Sequence, residues 1–76
     1  MEQIKELLMT IRPEFNFETS DNYIEDGYLD SFDIATLISA LEETYGIVID
    51  ALEIVPENFY NIATIINLVR KSGGEV

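Results

Sequence analysis

The sequence contains no cysteine and no histidine, and only four of its 76 residues are basic. The missing cysteines argue against a small secreted module held together by disulfides and fit a cytoplasmic protein. Together the two absences also remove the thiol nucleophile and the usual proton acceptor at neutral pH. The absence of cysteine therefore predicts a cytoplasmic protein.

Long hydrophobic runs are also absent. The first ten residues mix Glu2, Lys5 and Glu6 with apolar side chains, which predicts neither a signal peptide nor a membrane span there. With 47% apolar residues, a chain of 76 residues has room for one modest core. The expected organisation is a single domain over residues 1–76, monomeric and not inserted into a membrane.

Positive charge is scarce and confined to the two ends of the chain. Fifteen acidic residues oppose four basic ones, for a net charge of −11. The basic residues are Lys5, Arg12, Arg70 and Lys71, and none lies between positions 13 and 69. We interpret the twelve acids of that stretch as uncompensated, which predicts repulsion of nucleic acid and attraction of basic protein surfaces. The alternative is that the acidity only keeps a small domain soluble.

Near the N-terminus, apolar residues at the spacing i, i+3, i+4, i+7 predict a first helix: Ile4, Leu7, Leu8 and Ile11. Arg12 and Pro13 should end it, because the residue before a proline disfavours helical geometry. Residues 13–30 then show no regular period, and loops of this length are often functional. Its apolar residues should hold it against the core: Phe15, Phe17, Tyr23, Ile24, Tyr28 and Leu29.

A second helix is predicted to begin at Ser31 and to stop at Gly46. Asp30 is a favourable N-cap, and Asp33 places negative charge in the first turn, where the helix dipole favours it. The apolar positions then follow the helical period, and glycine is the usual residue just past a helix end. The expected core face of this helix is Ile34, Leu37, Ile38, Leu41 and Tyr45.

The C-terminal third predicts one short and one longer helical segment. Residues 47–49 are strand-like but too few to form a sheet without a partner, so we expect an extended linker. Pro56 can open a short helical turn with Phe59 turned inward. Asn61 caps a last helix, which should end before glycines 73–74. The predicted fold class is all-α, with three main helices, one short helix and a long loop between the first two.

The residues around Ser31 differ from ordinary core or surface. Residues 26–33 place a hydroxyl at a helix start, after an Asp-Gly turn and between two carboxylates. A helix N-terminus has unpaired N–H groups and the positive end of the dipole, so it accommodates an attached phosphate. The alternative is an ordinary serine in the first turn of a helix.

Phe32 projects away from the predicted core face, so we expect an exposed aromatic ring beside Ser31. The same outer face carries Thr36, Ser39 and Glu43. A low surface with one apolar side chain and acidic surroundings suits contact with another protein. The alternative is that Phe32 folds back under the long loop.

With these features together, the chain resembles an acyl or peptidyl carrier protein over essentially its whole length. The resemblance rests on Asp30 and Ser31 followed by a hydrophobic residue, on residues 41–47 at the end of the second helix, and on helix order and acidity. It implies a four-helix bundle of the acyl-carrier type. It also implies a 4′-phosphopantetheine arm on Ser31, attached from coenzyme A by a separate Mg²⁺-dependent phosphopantetheinyl transferase.

The resemblance further implies that the arm carries acyl or aminoacyl groups as thioesters and that the carrier itself is not an enzyme. An acyl- or aminoacyl-adenylating ligase would load it, and an acyltransferase or synthase with a basic docking patch would receive the cargo. The predicted docking residues are Asp30, Phe32, Asp33, Thr36, Ser39, Glu42 and Glu43. Candidates to line a space for the arm or cargo are Leu29, Ile54, Phe59 and Ile62. No nucleic-acid partner and no metal bound by this chain are expected.

Departures from the family pattern bear on the subtype. Fatty-acid carriers usually have leucine after the serine and a glutamate five residues beyond it, whereas this chain has Phe32 and Thr36. Residues 27–31 and 54–59 are more similar to freestanding aminoacyl carriers, including D-alanyl carrier proteins. An aminoacyl carrier is therefore the expected subtype, and a fatty-acid or polyketide carrier is the alternative.

Two readings from other classes remain. Residues 22–33 imitate a calcium-binding EF-hand loop with Gly27 at the sixth position, but Ile24 stands where an oxygen ligand is required and Asp33 replaces the final glutamate. The other reading is an acidic adaptor domain that never carries a cofactor.

Overall fold

The computed structural model describes residues 2–75, without the side chain of Glu2. These described residues form three α-helices, namely α1 (Glu2–Ile11), α2 (Ser31–Tyr45) and α3 (Ile62–Lys71). Three short 3₁₀ helices lie between them, at Phe17–Thr19, Ala51–Glu53 and Pro56–Phe59. No strand occurs within residues 2–75. The all-α prediction is confirmed, while the assignment to a four-helix bundle of the acyl-carrier type stays a prediction.

Helix α1 forms where its apolar stripe predicts and packs against both α2 and α3. Ile4 and Leu8 are fully buried, and Leu7 and Ile11 pack against the core from its edge. The helical hydrogen bonds end when the Arg12 N–H donates to the Leu8 carbonyl at 2.9 Å. Arg12 therefore leaves the helix at its C-terminal end, facing the start of α2.

The loop between α1 and α2 is held against the bundle by aromatic packing. Phe17 and Tyr23 are buried and meet edge to face, and Phe15 stacks on Tyr28 with 4.5 Å between ring centroids. Tyr23 also donates its hydroxyl to the Phe17 carbonyl and its N–H to the Tyr60 carbonyl, at 2.8 and 2.6 Å. The prediction that apolar residues hold this loop against the core is confirmed.

The ends of α2 and α3 follow the glycine signals. Gly46 adopts the left-handed conformation with φ 64°, which glycine reaches without steric cost, and donates its N–H to the Glu42 carbonyl. Beyond it, Ile47 and Ile49 are buried while Val48 is 82% exposed, as in the predicted extended linker. After α3, Gly74 lies so close to Val69 that a β-carbon would stand 2.4 Å from that side chain.

Ion pairs neutralise several acids that the sequence analysis treated as uncompensated. Lys5 pairs with Glu18, Lys71 pairs with Glu53 at 2.8 Å, and Arg12 contacts three further acids. The interpretation of residues 13–69 as uncompensated is therefore wrong for Glu14, Glu18, Asp30, Asp33 and Glu53. The terminal location of the bases in sequence concealed these pairs, because folding brings both ends back against the middle of the chain.

Within the described residues, no helix has both the length and the apolar character needed to cross a lipid bilayer.

Candidate functional site

Ser31 is the first residue of α2 and is exposed to solvent. The helix start is fixed by a capping box, in which two side chains exchange hydrogen bonds with two backbone groups. The Asp33 N–H donates to Asp30 Oδ1 at 2.8 Å, and the Asp30 N–H donates to Asp33 Oδ2 at 3.1 Å. The predicted helix start and N-cap are confirmed, and the Ser31 hydroxyl stands at a well-defined helix terminus.

Arg12 reaches across from the end of α1 and joins this capping box. Its Nε donates to Asp33 Oδ2 at 2.8 Å, its Nη2 to Asp30 Oδ2 at 3.3 Å and its Nη1 to Glu14 Oε2 at 3.2 Å. The guanidinium thus contacts both carboxylates of the box and a third from the loop. The sequence prediction treated Arg12 only as a helix end, because nothing local links it to residues 18 and 21 positions away.

The charges around Ser31 are set by these hydrogen bonds. The pKa of Asp30 is lowered, chiefly because its carboxylate accepts the Asp33 N–H; burial opposes this effect, and the nearby Arg12 adds to the lowering. The pKa of Glu14 is lowered by its own backbone N–H and then by Arg12. The pKa of Arg12 is raised, chiefly by its hydrogen bond to Asp33. Asp30, Glu14 and Arg12 are therefore all charged at neutral pH.

The structure corrects one predicted docking residue and qualifies another. Asp33 is only 6% exposed, because its side chain turns back to cap the helix and meet Arg12. Its placement on an exposed docking surface is therefore wrong. Glu42 is half-buried and accepts the Ile49 N–H at 3.0 Å, which gives it a role in holding the linker after α2. The exposed members of the predicted set are Asp30, Phe32, Thr36, Ser39 and Glu43.

Phe32 lies on the outer side of α2 with 79% of its surface exposed. The prediction of an exposed aromatic ring next to Ser31 is confirmed, and the alternative of a ring under the long loop is excluded. An aromatic ring this exposed does not contribute to the core. The ring lies in the first turn of α2, one residue after Ser31.

An apolar groove of about 360 Å³ opens beside Ser31. Its lining residues come from α2 and from the segment before α3: Ser31, Ile34, Ala35, Ile38, Ile54, Val55, Pro56 and Phe59. Of the predicted lining, Ile54 and Phe59 belong to this groove. Leu29 and Ile62 do not, because Leu29 is buried in the core and Ile62 packs against the core from its side.

Helical periodicity had assigned Ile34 and Ile38 to the core, and both pack against it while also lining the groove. The stripe of apolar residues shows which face of α2 points inward. It does not show that the segment before α3 leaves part of that face uncovered. The only sequence signal for the side of the groove opposite α2 was the run of apolar residues and proline at positions 54–56.

The calcium reading lacks a converging set of oxygen ligands. In the imitated loop, Asp26 accepts a hydrogen bond from Ser20, while Asp30 and Asp33 serve the capping box. In the part of the chain that the structure describes, no group of three or more candidate ligands could hold a metal ion. The carboxylates of this loop are thus engaged in holding the chain together.

Comparison of the chain with protein-family models, with curated proteins and with solved structures found no match. Its function must therefore be inferred from Ser31, the neighbouring groove and the charges around them.

Proposed function

We propose that the protein is a carrier that holds a 4′-phosphopantetheine arm on Ser31 and presents acyl or aminoacyl groups to partner enzymes. The observation that carries this proposal is the exposed serine hydroxyl at the first residue of α2, on the rim of an apolar groove. Of the other serines, Ser20 is buried, Ser39 lies within α2 and Ser72 follows the end of α3.

The residues at this place fit such an arm. The exposed hydroxyl leaves room for a phosphodiester, and the positive end of the α2 dipole favours the added negative charge. The groove offers apolar contacts from Ile34, Ile38 and Ile54 next to the attachment point. When bound, the arm supplies a terminal thiol on which cargo is held as a thioester.

Attachment requires chemistry that this chain only partly provides. The Ser31 Oγ would form a bond to the phosphorus of the pantetheine phosphate as the pyrophosphate bond of coenzyme A breaks and 3′,5′-ADP leaves. The hydroxyl proton must pass to a base, and this chain has no histidine or cysteine to accept it. As the resemblance implies, a separate phosphopantetheinyl transferase would supply the base and the Mg²⁺.

The partners would recognise the outer face of α2. Phe32 provides an exposed apolar contact, and Asp30 and Glu43 provide exposed carboxylates on the same helix end and face. Complementary basic surfaces accelerate association with such a face and select among partners. We propose transferase, adenylating ligase and downstream acyltransferase as its partners in the cytoplasm. Within this role the aminoacyl subtype is preferred to a fatty-acid or polyketide carrier, because residues 27–31 and 54–59 are similar to aminoacyl carriers and Phe32 and Thr36 depart from the fatty-acid pattern.

An adaptor domain without a cofactor is the second candidate. The exposure of Phe32 favours protein docking whether or not an arm is present. The two candidates differ in whether Ser31 is modified.

The test is intact-protein mass spectrometry after incubation with coenzyme A, Mg²⁺ and a broad-specificity transferase. We expect the wild type to gain the mass of one phosphopantetheine and Ser31→Ala to gain none, while far-UV circular dichroism shows equal helix content. Ser72→Ala, which removes a serine hydroxyl at the end of α3, is the matched control and should be modified like the wild type. A wild type that several transferases leave unmodified would favour the adaptor instead.

A further inference from the structure

We infer that Arg12 is a positioning residue for Ser31, a role that rests on the proposed carrier function. Its guanidinium holds the first turn of α2, where the serine hydroxyl is exposed. Arg12 does not act on the reacting atoms and works through Asp30 and Asp33.

The contacts of Arg12 join three separate parts of the chain at one point. The residue leaves the end of α1, contacts Glu14 in the following loop and reaches both carboxylates of the α2 capping box. These carboxylates belong to Asp30, immediately before Ser31, and to Asp33, two residues after it. The serine is thus bracketed by two residues that the same guanidinium holds.

Removal of Arg12 would leave the first turn of α2 electrostatically unfavourable. The side chain of Asp33 is 9% exposed, and a carboxylate shielded from water needs a partner of opposite charge or hydrogen-bond donors. It would also face the carboxylate of Asp30 with no cation between them. Lys5 and Lys71 pair with other acids, Glu18 and Glu53. We therefore expect the turn that contains Ser31 to loosen.

The geometry calls for arginine specifically. A guanidinium presents donors on three nitrogens in one plane, and all three are used here on different carboxylates. A lysine ammonium has the same charge at a single point and cannot span the same three acceptors. Arg12→Lys therefore separates the effect of charge from the effect of the planar fork.

The first measurement is the steady-state rate of phosphopantetheine attachment from coenzyme A by a broad-specificity transferase. It compares wild type, Arg12→Lys and Arg12→Gln at a temperature where circular dichroism shows each to be folded. We expect kcat/KM to fall roughly tenfold or more in both variants, because a misplaced reacting group slows the chemistry steeply. Lys71→Gln, which breaks the Lys71–Glu53 pair with the same loss of charge, is the control and should keep the wild-type rate.

The second measurement is backbone amide hydrogen exchange, which needs no transferase. The N–H groups of Asp33 and Ile34 donate to Asp30 in the first turn of α2. We expect their exchange to accelerate about tenfold in both Arg12 variants, since local opening follows the loss of local contacts. The equivalent first-turn amides of α3, Thr64 and Ile65, should exchange as in the wild type.

The outcomes distinguish this inference from the proposed function. A wild type that is never modified refutes the carrier proposal, while exchange still decides whether Arg12 holds the first turn. Wild-type behaviour of Arg12→Lys in either measurement overturns the positioning role of the fork. Equal acceleration of exchange in α2 and α3 overturns it as well, because that pattern indicates only lower global stability.

Discussion

Helices α2 and α3 begin with the same hydrogen-bond pattern built from different chemistry. In each, the N-cap side chain accepts the third-residue N–H and the third-residue side chain accepts the N-cap N–H. At α2 the pair is Asp30 and Asp33, two carboxylates bridged by Arg12. At α3 the pair is Asn61 and Thr64, both neutral. Arg12, which follows α1, contacts both side chains of the charged box, whereas both side chains of the neutral box are uncharged.

The residues just after the two caps also differ. After Asp30 come Ser31 and Phe32, both exposed. After Asn61 comes Ile62, which packs against the core, and Asn61 itself donates to the Asp21 carbonyl at 3.0 Å. The start of α3 therefore serves to join the loop to the bundle. The start of α2 instead presents two side chains to solvent.

The largest expected effect on stability comes from substituting the third helical residue of each capping box, Asp33 in α2 and Thr64 in α3. Asp33→Ala should lower the free energy of unfolding by about 2–3 kcal/mol, because hydrogen bonds to a shielded charged group are lost. Thr64→Ala should cost about 1 kcal/mol, the usual cost of losing a helix cap. Urea unfolding followed by circular dichroism at neutral pH measures both. A larger loss in Thr64→Ala would show that the charged box contributes no more than the neutral one.

A smaller effect is expected in how the free energy of unfolding depends on pH, through the carboxylates that contact Arg12. The pKa values of Asp30 and Glu14 lie below their ordinary 3.8 and 4.5, so both groups stabilise the folded state above those values. This contribution is lost as the pH falls through the lowered folded values. Unfolding measured between about pH 6 and pH 3 should therefore show the stability difference between wild type and Asp30→Asn shrinking with acid.

The control for this pH dependence is Asp50→Asn. Asp50 also caps a short turn, through the Leu52 N–H at 2.9 Å, but lies outside the Arg12 cluster. It therefore corrects for the loss of one carboxylate from an acidic chain. A difference between wild type and Asp30→Asn that stays constant down to the lowest pH would contradict the proposed linkage.

The smallest effect on stability is expected from Phe32→Ala. With 79% of the side chain exposed, its removal should change the free energy of unfolding by less than about 0.5 kcal/mol. The apparent KM of the transferase for the carrier should nevertheless rise roughly fivefold or more, because a central aromatic contact is lost. Val48→Ala removes an apolar side chain of similar exposure from the linker and should change neither quantity. A large loss of stability in Phe32→Ala would show that the ring packs within the fold.

The helices and their ends could be predicted because their signals are local. Proline after α1, Asp30 before α2, Gly46 after it and Asn61 before α3 each act within one turn of the boundary that they set. The outward direction of Phe32 followed equally from its place in the helical period. Such features need no knowledge of which other segment lies nearby.

The site could be predicted only in part because its remaining features join distant segments. Asp33 was expected on the surface, and its burial depends on Arg12, 21 positions earlier. The groove exists only because the fold places α2 beside residues 54–59. The sequence does not show this neighbourhood, so Ile34 and Ile38 were predicted only as core residues. The prediction of uncompensated acids was wrong for five residues for the same reason, because the pairing of acids with bases depends on distance in space and not on separation in sequence.

The sequence by itself determined the positions of three helices, their caps, an anchored loop and a serine at a helix start beside an outward phenylalanine. These features depend on backbone geometry and on periods of a few residues. Only the tertiary structure decided that Arg12 spans both carboxylates around Ser31 and that an apolar groove opens beside it. Both arise where segments far apart in sequence meet, and short-range preferences carry no information about such meetings.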